Sequence, residues 1–296
     1  MQTTIPEPMA KKAARPARRF RWRTTGYLIL KYLLLLLFSL FFIFPYFYML
    51  TRSLMSLSEI NSGSLVLFPS ELHFENYSIV VDYLLYLKNT LIVVVINGLF
   101  IPLTGSFIAF PFARYDFKGK KIMFALLMCT VMLPGSVTTI PLYVLYSKLS
   151  LLDTLASQWV GAFFGGSAMQ MFLIMQFMRG VPKELDNAAY LDGANRFVVY
   201  FRIMLPLCMN VLLYIGIGVI LAKWNDFTGP LVYLRSQSNY TMAVAFYYEF
   251  SSSGISNLFD NIKMAMVAFM TVVPMLLFLI FQKQMIGGIK VGGLKG

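Results

Sequence analysis

The sequence predicts an all-α integral membrane protein: a bundle of six transmembrane helices with a cytoplasmic helix-turn-helix loop between the fourth and fifth. Three observations predict it. Of 296 residues, 58% are hydrophobic and only 13% charged, with a mean hydropathy of +0.69. A soluble chain of this length has too few charged side chains to cover that much apolar surface. Six stretches reach the roughly 20 apolar residues that a helix needs to cross the hydrocarbon, over residues 27–50, 89–112, 122–146, 155–178, 206–226 and 264–286. Lys and Arg are also unevenly divided among the segments that join them.

The first stretch, "YLILKYLLLLLFSLFFIFPYFYML", follows the basic tail "KKAARPARRFRWR". Its apolar run is too long for a signal peptide and no small-residue cleavage site follows, so an uncleaved first helix is expected. With the N-terminus in the cytoplasm, nineteen of the 25 basic residues fall on inside segments: eight through Lys31, four in "RYDFKGKK", four from Arg179 to Arg202, and three from Lys283 onward. Arg52, Lys88, Lys148, Lys223, Arg235 and Lys263 lie outside or at outer helix ends. This asymmetry places both termini in the cytoplasm. It explains the net charge of +12 as anchoring to anionic headgroups rather than nucleic-acid binding. The expected organisation is a basic cytoplasmic tail over 1–26, a six-helix domain over 27–286 containing the loop at 180–206, and a cytoplasmic tail over 287–296.

Between the spans, residues 51–87, with "FPSELHFENY", read as a short ordered outer excursion, and 227–263 carry a Ser/Gly-tipped finger, "FYYEFSSSGISNLFDN". Pro45, Pro102, Pro111, Pro134, Pro141 and Pro274 punctuate the spans. Such breaks are tolerated where neighbouring helices or cavity water satisfy the freed backbone. Gly98, Gly105, Gly165, Gly166, Gly216 and Gly218 suit close helix packing. Cys129 and Cys208 sit in apolar runs, which argues against a disulfide framework or a metal site, and His73 reads as a solvated loop residue. There is no phosphate-cradling loop, catalytic nucleophile or metal cluster, so no enzyme activity, metal or cofactor is expected on this chain.

The loop between the fourth and fifth spans carries the functional argument. In "PKELDNAAYLDGANRFVVYFRIMLPL", Pro182 can open a helix at its first turn, and Glu184 and Asp186 fall near the positive end of its dipole. Ala188 and Ala189 favour helix and leave little bulk for an approaching body. Asp192-Gly193 ends the helix, glycine suiting the left-handed residue. A second amphipathic segment runs through Phe197, Val198, Phe201 and Ile203 to Leu205-Pro206. A bent helix pair along the membrane face is shaped for docking.

That loop resembles the EAA loop of binding-protein-dependent ABC importer permeases, in which Glu-Ala-Ala is followed by Gly and then Ile-x-Leu-Pro. Here the pattern falls on Asn187-Ala188-Ala189, Gly193 and Ile203-Met204-Leu205-Pro206, with Pro182 to Leu185 and Leu191 to Ala194 similar to the carbohydrate-uptake subgroup. "FENYSIVV", "LKNTLIVV", "WNDFTGPLVYL" and the closing "GGIKVGGLKG" extend the resemblance over most of the chain. It implies a type I ABC importer permease fold and a subunit of an ATP-driven sugar or oligosaccharide importer in a bacterial inner membrane. The implied partners are a second, homologous permease, two ATPase subunits carrying ATP and Mg, and an extracellular or periplasmic solute-binding protein. The coupling residues implied are Glu184, Asp186, Asn187, Ala188, Ala189, Asp192, Gly193, Ala194, Ile203, Leu205 and Pro206. Asn187 stands where the family has Glu. The resemblance then implies a weakened charged contact to the ATPase, or one moved to Asp186 or Glu184.

Polar residues at membrane depth are costly unless they face a cavity or a partner. On that ground Asn97, Thr104, Gln158, Ser167, Gln170, Asn225 and Asp226 are substrate-path candidates, with interhelical hydrogen bonding as the competing role for each. In the outer finger, Tyr247, Glu249, Ser252, Gly254 and Asn257 are candidates for contact with the binding protein. Two other readings compete: a permease of the same class for a non-sugar solute such as a polyamine or phosphate, and an ion-coupled secondary transporter. The second needs inverted repeats and buried ionisable relays, and the sequence displays neither.

Overall fold

The computed structural model describes residues 22–62, 66–250 and 260–292. No β-strand occurs among them. The chain divides into two units, 1–48 and 49–296. The described part of the first unit is the apolar stretch of helix α1, Trp22–Ser53, which runs through Pro45 without a break and reaches into the second unit.

The second unit is built on α2, Leu84–Arg114. The helices that follow it are α3, Lys120–Val131; α4, Gly135–Lys148; α5, Ala168–Gly180; α6, Glu184–Leu191; α7, Met209–Trp224; α8, Met242–Phe250; and α9, Asp260–Gly292. The most extensive packing is of α2 against α7 and then against α5, while α9 packs on α7. Within lipid no hydrophobic force drives helix against helix, so close contact must supply the attraction. Glycines allow it. A Cβ on Gly216 would lie 2.9 Å from the carbonyl oxygen of Gly98, and one on Gly105 would lie 3.1 Å from that of Gly165. Around these crossings, Ile174, Met175, Met178, Met204 and Leu212 are buried together with Phe110 and Phe112.

Among the described residues, four helical segments are long and apolar enough to cross a membrane alone: Gly26–Ser53, Leu84–Arg114, Ala156–Gly180 and Asp260–Met285. The expected spans at 122–146 and 206–226 are instead bent pairs. α3 meets α4 at 104°, and the helical run Arg196–Leu207 meets α7 at 71°. Of the six prolines marked in the sequence, only Pro134 stands at a break, extended at φ −60° and ψ 139° as the residue before α4. Pro45, Pro102, Pro111, Pro141 and Pro274 lie inside continuous helices.

The fourth expected span is irregular in its N-terminal half. A short helix Ala156–Trp159 passes into the 3₁₀ turn Val160–Phe164, and then Gly165 and Gly166 adopt φ +91° and +69° before α5 begins. Non-helical backbone at such depth needs polar partners within the protein. Helix α2 supplies two, described below.

Candidate functional site

The loop between the fourth and fifth expected spans begins after Val181. Helix α6 starts at Glu184, with Glu184 and Asp186 in its first turn. Only Asp186 and Ala189 on this helix are buried, three residues apart on one face. Glu184, Leu185, Asn187, Ala188, Tyr190 and Leu191 are exposed, Leu191 at 89%. Ala188 and Ala189 therefore part company: Ala188 offers the low-bulk outer surface expected of both, whereas Ala189 packs into the bundle's own core.

The helix ends as its sequence requires. Gly193 takes φ +82°. The Ala194 N–H donates to Ala189 O at 2.9 Å and the Gly193 N–H to Tyr190 O at 3.1 Å, the paired bonds of a Schellman turn. Asn195 then caps the next segment, its Oδ1 accepting from the Val198 N–H at 2.9 Å. That segment winds as a π-helix over Val199–Met204. Pro206 removes an N–H and crowds the carbonyl four residues back, and the wider winding sits immediately before it. The phase of burial shifts accordingly. Val199, Tyr200 and Met204 are buried, while Phe197 and Phe201, expected on the inner stripe, are 62% and 56% exposed. Val198, Ile203 and Leu205 are half-buried, and Asp192 and Pro206 exposed.

Asp186 does not face outward. Its Oδ2 lies 3.1 Å from Nε of Arg114, the last residue of α2, and the two side chains are 9% and 2% exposed. Arg114 Nη1 also donates to Val181 O at 2.9 Å. Burial pushes the Asp186 carboxyl above the usual range, and Arg114 and then Lys183 oppose the shift. The sequence reading counted Arg114 only as a topological anchor and so missed this pair. Beside it the Tyr115 and Tyr190 hydroxyls meet at 2.6 Å, with the Arg196 guanidinium 4.9 Å from the centre of the Tyr115 ring. Deeper in, Ser106 Oγ and Tyr200 OH are 2.7 Å apart.

The depth candidates are mostly engaged with backbone. Asn97 Nδ2 donates to Gln158 O at 3.1 Å and to Val93 O at 2.8 Å. Thr104 Oγ1 donates to Ala162 O at 2.7 Å. These two α2 side chains satisfy carbonyls freed where the fourth span is irregular. Gln158 is buried and donates to Ser157 Oγ. Ser167 and Gln170 form a capping box at the start of α5, with bonds of 3.3 and 3.1 Å. Asn225 donates to Leu221 O, and Asp226 accepts from Lys223 Nζ at 2.8 Å and the Gly229 N–H at 3.1 Å.

Of these candidates Gln170 alone lines a groove between α5, α7 and α9. This cavity of about 310 Å³ is walled by Met169, Gln170 and Leu173 of α5, Tyr214, Ile215, Ile217 and Gly218 of α7, and Met285 of α9. Tyr214 adds a hydroxyl that sequence reasoning did not single out. In the expected outer finger, Tyr247 and Glu249 are exposed at the end of α8, with the Tyr247 ring 5.0 Å from that of Phe227. Ser252, Gly254 and Asn257 lie outside the described residues. His73 is not simply solvated, since its Nδ1 lies 2.6 Å from Glu75 Oε1.

Known proteins match this arrangement. Residues 101–290 match the family described as binding-protein-dependent transport system inner membrane component. A putative ABC transporter permease protein, ORF2, from Caldicellulosiruptor sp. is 33% identical, covering 85% of this chain and 91% of its own. The arabinooligosaccharides transport system permease protein AraQ of Bacillus subtilis is 32% identical, covering 89% and 94%. In fold, the chain is similar to one chain of a bacterial ABC transporter involved in the import of the acidic polysaccharide alginate. That match has a TM-score of 0.78 at 19% identity and covers 91% of this chain and 99% of the other.

Proposed function

The chain belongs to the family of binding-protein-dependent transport system inner membrane components, and we propose that it forms half of the translocation path of an ATP-driven importer for a sugar or oligosaccharide. It is a multi-pass membrane protein and a transport component, not an enzyme. The sugar cargo rests on relatives such as the arabinooligosaccharide permease. In this reading each bent pair is one crossing, giving six spans with both termini in the cytoplasm. A second permease completes the path, two ATPase subunits dock from inside, and a binding protein delivers solute from outside.

One observation carries the reading. On the loop at 180–206, Leu185, Leu191, Phe197 and Phe201 are all exposed, while Asp186, Ala189, Val199 and Tyr200 are buried against the bundle. Large apolar side chains left bare in water mark a surface that another body covers. Glu184, Asn187 and Ala188 share the exposed surface of α6. Since Asp186 is turned inward, Glu184 is the carboxylate left for a charged contact in place of the Glu that Asn187 replaces.

Co-purification in mild detergent tests it. The native chain brings down an ATPase and a second permease. Leu191→Asp keeps its membrane level and loses the ATPase, because truncating a central interface anchor typically costs about 2 kcal/mol or more, roughly thirtyfold in affinity. Native ATPase capture by Leu191→Asp refutes the docking face.

A further inference from the structure

The loop at 180–206 leaves the bundle at two points, and the two are built differently. Toward α7 the connection is wound and bent: a π-helical segment, Pro206, and a bend of 71°, with Tyr200 OH 2.7 Å from Ser106 Oγ of α2. Toward α2 it is tied. Arg114 Nε and Asp186 Oδ2 are 3.1 Å apart, and Arg114 Nη1 also holds Val181 O where the loop begins. Arg114 Nη2 lies 4.0 Å from Met204 Sδ, so the guanidinium touches both arms of the loop. Tyr115 and Tyr190 repeat the link one residue past the end of α2, hydroxyl to hydroxyl at 2.6 Å.

Stability alone does not account for the pair. Asp186 Oδ1 is buried without a hydrogen-bond partner, and the Arg114 Nε–H is not aimed well enough to form one. Two charges taken from water with hydrogen bonds left unmade repay little of their desolvation, and apolar residues of similar size often serve as well. What a buried pair does provide is one fixed geometry.

We propose that the Arg114–Asp186 pair joins the loop to the inner end of α2 as one rigid body, so that displacement of the loop moves α2 directly rather than through the bend at α7. The inference rests on the docking reading above. Its consequence follows from the packing: α2 contacts α7 at Gly98 and Gly216, and the glycine turn before α5 at Gly105. A push on the loop thus reaches both walls of the groove through one helix.

The test uses the assembled importer in proteoliposomes and reads solute taken up per ATP hydrolysed. Arg114→Gln and Asp186→Asn each leave an orphan buried charge, so the decisive variant carries both substitutions, keeping size and polarity without charge. We expect it to assemble and hydrolyse ATP, yet take up at least tenfold less solute per ATP. Native uptake per ATP in the double variant overturns the proposal. A second measurement leaves the pair intact. In a Cys129→Ser background, Tyr115→Cys and Tyr190→Cys are joined by a short bifunctional maleimide, and uptake is compared before and after in the same vesicles. Uptake persists if loop and helix move together, and its loss on cross-linking overturns the proposal. ATPase capture, lost in Leu191→Asp but kept in the double variant, separates failure of this link from failure of the docking reading.

Discussion

Asp153 shows how much a single side chain can organise. It adopts φ +57°, and its carboxylate accepts the backbone N–H groups of Arg235 at 2.9 Å and Ser236 at 2.7 Å, with the Ser236 hydroxyl closing on the second oxygen. Its carbonyl accepts from Asn239 at 2.6 Å. These donors, the Ser236 hydroxyl and N–H first, hold the Asp153 carboxyl well below the usual carboxylate range. A depressed folded pKa favours the ionised fold, so its contribution is present above the unfolded value of about 3.9 and is lost only as pH falls through the lower folded value. The thermal stability gap between the native chain and Asp153→Asn should therefore persist from pH 7 down to pH 4. A gap that closes by pH 5 contradicts the hydrogen-bonded carboxylate. Glu59 is likewise lowered, to about 2, by bonds from Ser70 and Ser56. None of this was legible beforehand. Asp153 and Ser236 are far apart in sequence, and no short-range pattern links an acid to backbone donors on another segment. The same limit applied to Asp186, whose orientation depends on Arg114, 72 positions away. Asn97 and Thr104 were legible as polar groups needing partners, but that the partners would be the carbonyls of an irregular span was not.

At the scale of elements, the sequence was a good guide wherever the local backbone decides. Asp192-Gly193 ends α6 in the expected left-handed residue, because only a residue without Cβ adopts that conformation cheaply. The run Leu133-Pro134-Gly135 interrupts the third apolar stretch, since the residue before a proline is pushed out of the helical region. The other prolines gave no break. Within long helices the neighbours absorb a missing N–H, so proline alone does not forecast a kink. The glycines divide in the same way, and a pair of variants shows it. Gly216 has the Gly98 carbonyl oxygen 2.9 Å from its would-be Cβ, whereas Gly218, two residues on along α7, meets nothing within 4 Å. Gly216→Val must part α7 from α2 and should destabilise the detergent-solubilised protein by about 1–3 kcal/mol, the usual range for overpacking. Gly218→Ala should leave the melting temperature unchanged. Equal effects from the two would mean that glycine acts here through helix propensity, not through the crossing. Composition did not distinguish these residues, because both occupy "YIGIGVI" on what reads as one uniformly apolar helix.

For the whole molecule, the count of crossings decides everything that lies on either side of the membrane. Helices of 12 and 14 residues, such as α3 and α4, are only about 18 and 21 Å long at 1.5 Å per residue, short of a hydrocarbon core of about 30 Å. Neither crosses alone. The pair bent at 104° either makes one crossing together or enters and leaves by the same face. The Lys and Arg count favours a crossing, because "RYDFKGKK", running from the end of α2 into the first turn of α3, holds four basic residues while α4 ends on Lys148 alone. The two geometries predict opposite labelling downstream. With one crossing, residue 149 is outside and the loop at 180–206 inside. With re-entry, 149 is inside, the next span reverses, and the loop emerges outside, beyond reach of any ATPase. Leu149 and Leu191 are 57% and 89% exposed, which makes them suitable positions. In a Cys129→Ser background, a membrane-impermeant maleimide added to intact spheroplasts should label Leu149→Cys and not Leu191→Cys. Inverted vesicles should show the opposite. Cys208, fully buried, stays silent in both. Labelling of Leu191→Cys from outside would remove the docking face, the rigid link to α2 and the six-span topology together, since all three require that loop to lie beneath the bilayer.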